Sequence, residues 1–214
     1  LFLLIFGISA VVSYNVDKAT QTRLLSNEET LLSAEHTVLS ARLNKITGDL
    51  IFIRESLRLH DSEEGYDELI QEWIAFSNSR QMYAQIRYID AEGNEVIRVN
   101  YSKDGAVSVA PEDLQNKKDR YYFTDTISLE ANQIYVSKLD LNVENNQIEN
   151  PVKPMLRISI PYYDNSNQLE GIVILNYLAE DMINYIRLVS TASNGSVFLL
   201  NSDGYWVYNS SAPD

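Results

Sequence analysis

From Asn15 to Leu59 the chain contains no proline and a single glycine, Gly48. Leu25, Leu32, Leu39, Ile46 and Ile53 recur every seven residues, and Leu43, Leu50 and Leu57 make a second row. The rows are offset by three and four positions, which puts both on one stripe of a helix as an a/d seam. This pattern predicts one long helix whose apolar seam must be covered by a sheet of the same chain or by a second copy. One small sheet cannot reach all five residues of the first row. A homodimer packed along Asn15–Leu59 is therefore expected.

The helix is preceded by an apolar run, Leu1–Tyr14. As a helix this run spans about 21 Å at 1.5 Å per residue, against a hydrocarbon core of about 30 Å that takes roughly 20 residues. It reads as the outer part of a transmembrane helix, residues 1–14. A signal peptide is the alternative, but polar helix formers follow Tyr14 with no small-x-small cleavage site. The expected location is the inner (cytoplasmic) membrane, with the rest of the chain in the periplasm. Absence of cysteine excludes disulfide scaffolds and Cys-ligated metal sites. The net charge of -13 repels nucleic acid.

Along the chain, a second helix is expected over Tyr66–Phe76, with Leu69, Ile70, Trp73 and Ile74 on its apolar side. After Ser79 the apolar period changes to two. Ala84, Ile86 and Tyr88 alternate with Gln85 and Arg87, the turn Asp90–Gly93 follows, and Glu95–Tyr101 returns as a second strand. Pro111–Leu129 reads as helical or mixed, Ile134–Ser137 as a short strand and Leu139–Pro154 as loop. Met155–Tyr162 and Gly171–Leu178 are strands joined by the turn Asp164–Asn167, and a helix covers Glu180–Val189. The fold class is α+β: a long N-terminal helix packed on a PAS-like antiparallel sheet. Ile89–Val96 and Leu200–Val207 share the pattern apolar–(Asp/Asn)–x–acid–Gly–x–x–Val. Both follow a helix and open a strand pair, so 191–214 is expected to begin a second PAS-like module, truncated here, after a complete one in 15–190.

Several segments together resemble the double Cache (PDC) sensor domains of bacterial transmembrane receptors, most closely those on histidine kinases and GGDEF diguanylate cyclases. They are Arg87–Gly93 with Arg98, Leu114–Phe123, Val136–Glu144, Pro151–Pro154, Leu156–Pro161 and Gly171–Tyr177. The resemblance implies two stacked PAS-like units between membrane helices, with a cytoplasmic output domain after them. In the amino-acid-binding branch of such receptors an Arg-x-Trp-Tyr motif holds the ligand carboxylate, and later Asp residues hold the ammonium. Arg120-Tyr-Tyr-Phe123 is similar to that motif, whereas Asn176 stands where that branch has an Asp. An Asn brings no countercharge for an ammonium, which favours a carboxylate or other small ligand.

The residues weigh as follows. Arg120 is the candidate anion anchor, since a guanidinium forks onto a carboxylate in two bonds; a salt bridge to Asp119 or Glu112 is the bland alternative. Tyr122 and Tyr135 either wall a pocket or are ordinary core aromatics. In Met155–Pro161, Arg157 and Ser159 share the face opposite Leu156, Ile158 and Ile160, so Arg157 faces the pocket or solvent. Ser137 and Asp140 are placed at the pocket rim or in turn chemistry. The pocket is expected within Arg87–Asn176, between the Arg157 face of the sheet and the crossover Lys118–Asp140. A calcium loop at Asp140 fails, because its sixth and twelfth positions are Asn145 and Pro151. His36 and His60 are too far apart on one helix to share a metal. No cofactor and no catalytic constellation is expected. The chain reads as a small-ligand sensor, with docking of a periplasmic binding protein on its surface as the alternative.

Overall fold

The computed structural model describes residues 2–60, 65–141, 143–144, 147–148, 153–193, 195–200, 204 and 206–211. Helix α1 runs unbroken over Phe2–Leu59, 58 residues, about 87 Å at 1.5 Å per residue. The apolar run and the heptad region are thus one helix. Among the described residues no helix is long and apolar enough to cross a membrane. Helix α2 (Tyr66–Arg80) extends one turn beyond the expected end and stops at Gln81, whose φ of 55° accepts the left-handed cap.

A seven-stranded antiparallel sheet follows. Its strands are β1 (Tyr83–Asp90), β2 (Glu95–Ser102), β3 (Gly105–Ser108), β4 (Tyr135–Val136), β5 (Asp140–Leu141), β8 (Pro154–Tyr163) and β9 (Leu169–Leu178). Their order is β3-β2-β1-β9-β8-β4, with β5 also paired to β8. Between β3 and β4 lie a 3-10 turn (Pro111–Asp113) and the short helix α3 (Tyr121–Ile127). Strand β3 has no counterpart in the sequence reading. The stretch read as loop before Pro154 contains β5 and a small pair, β6 (Val143–Glu144) with β7 (Gln147–Ile148). Two-residue strands are too short for periodicity to reveal them.

One sheet face is apolar and takes the helices. Ile46, Leu50, Ile53 and Leu57 of α1 and Leu69 and Trp73 of α2 form one buried cluster with Ile86, Tyr88, Leu156, Ile158, Val173, Leu175 and Tyr177. The buried Trp73 Nε1 donates to Ser56 Oγ at 2.9 Å and ties α2 to α1. Asp49, also buried, accepts from Arg80 and Tyr83, each at 2.7 Å, and joins α1 to the start of β1. The sheet covers only the C-terminal half of the heptad seam. Leu25 and Leu32 are left 65% and 61% exposed.

Where β9 begins, Gly171 has φ 152° and a Cβ there would lie 2.0 Å from the Ile89 carbonyl oxygen, so only glycine lets β9 pair this closely with β1.

Helix α4 (Glu180–Ser190) leads to a hairpin, β10 (Phe198–Leu200) and β11 (Trp206–Asn209). Its register repeats that of β1 and β2. Phe198↔Asn209, Leu199↔Tyr208 and Leu200↔Trp206 correspond to Arg87↔Arg98, Tyr88↔Ile97 and Ile89↔Glu95, with the irregularity at the same step. Gly93 and Gly204 both have positive φ. The sequence echo is therefore matched in backbone geometry.

Candidate functional site

The second face of the sheet looks toward α3 and the crossover, and it is polar at its centre. Cross-strand pairing arranges it in rows. Gln85, Asn176 and Arg157 stand side by side; Arg98, Arg87, Ile174, Ser159 and Tyr135 make the next row; Glu95, Ile89 and Ile172 make a third. Gln85, Arg87, Glu95, Arg98, Ser137, Arg157, Ser159 and Asn176 are all buried.

Strict alternation along β2 would send Glu95 and Arg98 to opposite faces. A β-bulge at Val96 prevents this: Tyr88 pairs with Ile97 but Ile89 pairs with Glu95, so one extra residue is absorbed. The Glu95 side chain, with no exposed surface, then lies between two guanidiniums. Arg87 Nη1 approaches Oε1 at 3.3 Å and Arg98 Nη1 approaches Oε2 at 3.0 Å. The Gln115 backbone N–H adds a third bond to Oε2 at 3.1 Å and pins the crossover to β2.

Arg87 carries this anchoring across the face. Its Nη1 donates to the Tyr122 hydroxyl at 3.1 Å and its Nη2 to Asn176 Oδ1 at 2.8 Å. The Asn176 amide donates in turn to Gln85 Oε1 at 2.8 Å. Burial disfavours the charge on Arg87, but Tyr122 and Glu95 outweigh it and hold the guanidinium more firmly protonated than usual. The opposite balance holds at Tyr122. Burial pushes its phenol up, yet the charge and hydrogen bond of Arg87, with Lys117 and Arg120, overcome this and hold it below its ordinary value. The Tyr122 hydroxyl thus marks a point where the protein field favours negative charge.

Three guanidiniums gather at the Tyr122 ring: Arg87 at 5.2 Å, Arg157 at 5.4 Å and Arg120 at 6.0 Å from its centroid. Arg120 is the residue before α3, and its carbonyl accepts from Phe123 and Thr124 at 2.9 and 3.1 Å. It is half-buried, and among the described residues no ion pair ties it to Asp119 or Glu112. Arg157 points inward, not to solvent. Its Nη1 contacts Asp140 Oδ1 and the Tyr121 hydroxyl, while Tyr121 donates to Asp140 Oδ2. The Ser137 backbone N–H donates to the Arg157 carbonyl at 2.8 Å, and the Ser137 hydroxyl accepts the Arg157 backbone N–H at 2.9 Å. Tyr135 pairs with Ser159 on the outer strand, and it packs on the small cluster of Ile89, Tyr122, Phe123, Ile172 and Ile174. Burial and the bond to Asp140 push the Tyr121 phenol up to about 12; burial and a bond to Asp125 push Tyr135 up to about 12.

All seven sequence-selected residues therefore lie on one sheet face or its α3 cover. Asn176 is held between Arg87 and Gln85. The sequence reading did not single out Arg87, Glu95, Arg98 and Tyr121. Arg87 and Gln85 were legible as the polar half of an alternating strand. Glu95 was not, because the bulge that turns it inward leaves no mark in the pattern.

Buried arginines on one face of a PAS-like sheet, with Asn176 held between Arg87 and Gln85, make a candidate ligand-binding site. The chain belongs to the family of bacterial histidine kinase sensor domains, which it matches over residues 53–213. Its fold is PDC/Cache-like. It is similar to the extracellular domain of a protein described as histidine kinase vpHK1S-Z8, with 24% identity and TM-score 0.64 over 75% of this chain and 60% of that one. It is also similar to a domain of a sensory box/GGDEF family protein from Vibrio parahaemolyticus, at 23% identity and TM-score 0.66, over 87% and 73% of the two chains. The ligand-binding domain of the Campylobacter jejuni chemoreceptor Tlp3, solved with 4-methylisoleucine, matches at 11% identity and TM-score 0.66 over 87% and 69%. At these identities the likeness is one of fold. Comparison with curated proteins returns no significant match.

The Glu95 triad has a direct stability consequence. Removing one partner of a buried charge set leaves the others uncompensated, at a cost of about 3–5 kcal/mol. Glu95→Gln should lower the unfolding free energy by that amount, read as a lower urea midpoint at unchanged m-value; a midpoint within error of the wild type would show that Glu95 does not hold the two arginines.

Proposed function

We propose that this chain is the periplasmic sensor portion of a transmembrane receptor, a histidine kinase or a diguanylate cyclase. In this reading it seats a small carboxylate on the crossover face and passes the change along α1. The single observation that carries the ligand class is the gathering of Arg87, Arg120 and Arg157 around Tyr122, whose phenol is held below its ordinary value. Such a field lowers the free energy of a bound anion. Arg120 is the anchor, since it is half-buried and its guanidinium is bound to no carboxylate among the described residues. Tyr122, Tyr135, Ser137 and Asn176 shape the seat. The amino-acid ligand of Tlp3 belongs to that receptor; the neutral Asn176 and Ser137 argue for a ligand here without an ammonium group.

The relay runs from Arg87 on β1, through Tyr83 at the start of the same strand, to Asp49 on α1. Residues 15–190 form the sensing module, and 191–214 begin a second one, supported by the shared register of the two hairpins. Leu1–Tyr14 lead α1 into the inner membrane. A ligand shifts the receptor only by binding one of its two states better than the other.

Two experiments test this reading. Losing one charge-assisted hydrogen bond costs about 1.5–3 kcal/mol, so Arg120→Ala should weaken a small carboxylate roughly 10- to 150-fold. Calorimetric titration of wild type and variant with acetate, pyruvate and succinate reads this out; equal affinity would make Arg120 structural. For the assembly, Leu25 and Leu32 stay uncovered on α1 while Ile46 to Leu57 are buried, which supports a homodimer along the N-terminal half of the helix. Single cysteines stepped from Lys18 to Leu32 in the membrane-tethered receptor should crosslink with heptad periodicity. Crosslinking without that period would refute the parallel seam.

A further inference from the structure

Resting on the crossover face as the ligand site, one contact there has a role beyond holding the fold. Arg157 is buried, with 3% of its side chain exposed, and it sits at the middle of the longest strand pair of the sheet. Its carboxylate partner is of a different character. Asp140 lies on β5, a two-residue strand that among the described residues pairs with β8 through Asp140↔Met155 and Leu141↔Pro154, and its side chain is 35% exposed. One Asp140 oxygen meets Arg157 Nη1, and the other accepts from the Tyr121 hydroxyl, which itself accepts from Arg157. Guanidinium, phenol and carboxylate close a three-membered ring of bonds. This is the arrangement a free carboxylate would adopt on Arg157 and Tyr121.

The contrast with Glu95 is decisive. Glu95 has no exposed side-chain surface, takes bonds from Arg87, Arg98 and the Gln115 backbone, and stands on an eight-residue strand in the body of the sheet. It cannot leave without opening the core. Asp140 can leave by releasing a two-residue strand at the sheet's end, and water is already at its edge. Arg157 then loses the Asp140 carboxylate, and an anion taking the same place offsets that loss. Arg120, 6.0 Å from the Tyr122 ring centroid that Arg157 approaches at 5.4 Å, supplies a second cation nearby.

We propose that the Asp140 carboxylate is a tethered stand-in for the ligand's acid group. Arg157 and Tyr121 form the seat, Asp140 occupies it in the empty sensor, and an incoming carboxylate displaces Asp140 and releases β5. Binding and the movement of β5 are then one event, because both acids cannot hold Arg157 Nη1 together. The ligand's affinity is reduced by the fraction of time the latch is shut.

This gives the variant an inverted sign. Removing an ordinary ligand contact weakens binding, whereas Asp140→Asn keeps size and polarity, empties the seat of charge and should tighten it. A latch closed about nine-tenths of the time predicts about 10-fold tighter binding of the variant. The probe is succinate, titrated calorimetrically into wild type and Asp140→Asn, with Asp140→Ser as a second variant and near-ultraviolet circular dichroism to confirm native packing. Tighter succinate binding by either folded variant, including binding where the wild type shows none, supports the latch. Unchanged or weaker binding by a folded variant, with wild-type binding that still depends on Arg120, overturns the latch and leaves the carboxylate site standing. Succinate binding by neither protein overturns both.

Discussion

A buried carboxylate between two arginines organises the sensing half of this molecule. Glu95 reaches Arg87 and Arg98 only because the bulge at Val96 turns it onto their face of the sheet. Once Arg87 is fixed from one side, its remaining donors are free to hold Tyr122 and Asn176. Tyr122 fixes α3, and α3 places Arg120. The same Glu95 accepts from the Gln115 backbone and so anchors the crossover from which α3 departs. A single bulge thus sets the position of elements far apart in sequence. Buried charge is expensive, and Arg87, Glu95, Arg98 and Arg157 are all buried on this one face.

The two faces of the sheet divide the work. The helix face is apolar and continuous, and α1 and α2 lie on it with Trp73, Tyr83 and Tyr177 fully buried. It packs the C-terminal turns of α1 onto the sheet. Asp49 adds a polar bond between α1 and Tyr83, two residues before Gln85 on the strand that carries Arg87. A change felt by Arg87 on one face is therefore one strand's thickness from the helix on the other. Toward the N-terminus of α1, the exposed Leu25 and Leu32 continue the stripe that is buried further on.

Much of this was legible in the sequence. The heptad rows gave the long helix and its buried face at Ile46, Leu50, Ile53 and Leu57. Alternation gave β1, β2, β8 and β9 to within two residues, because strands with one apolar face announce themselves. Arg157 was correctly confined to the face away from the helices, and the echo at Gly93 and Gly204 returned as a shared hairpin register. What stayed hidden has a common cause: it depends on local backbone irregularity or on pairing of very short segments. Glu95 and Arg98 are three apart, which alternation assigns to opposite faces. Asp140 was selected at the pocket rim, but its pairing with Arg157, 17 positions later, was not, because it stands on a strand only two residues long. Tyr121 is exposed in part and was passed over for Tyr122, yet its hydroxyl completes the bonds around Asp140.

The account rests on one claim, that the crossover face of the sheet is where a small anion binds. The most direct measurement is the side-chain Nε–H spectrum of 15N-arginine-labelled protein during titration with succinate, with each arginine assigned by Arg→Lys substitution. The account predicts saturable shifts at Arg120 and Arg157, a smaller one at Arg87, and none at Arg54, Arg58 or Arg80, which sit on the helices of the opposite face. Shifts confined to the α1 and α2 arginines, or a spectrum unchanged while calorimetry records succinate binding, would place the ligand elsewhere and contradict it.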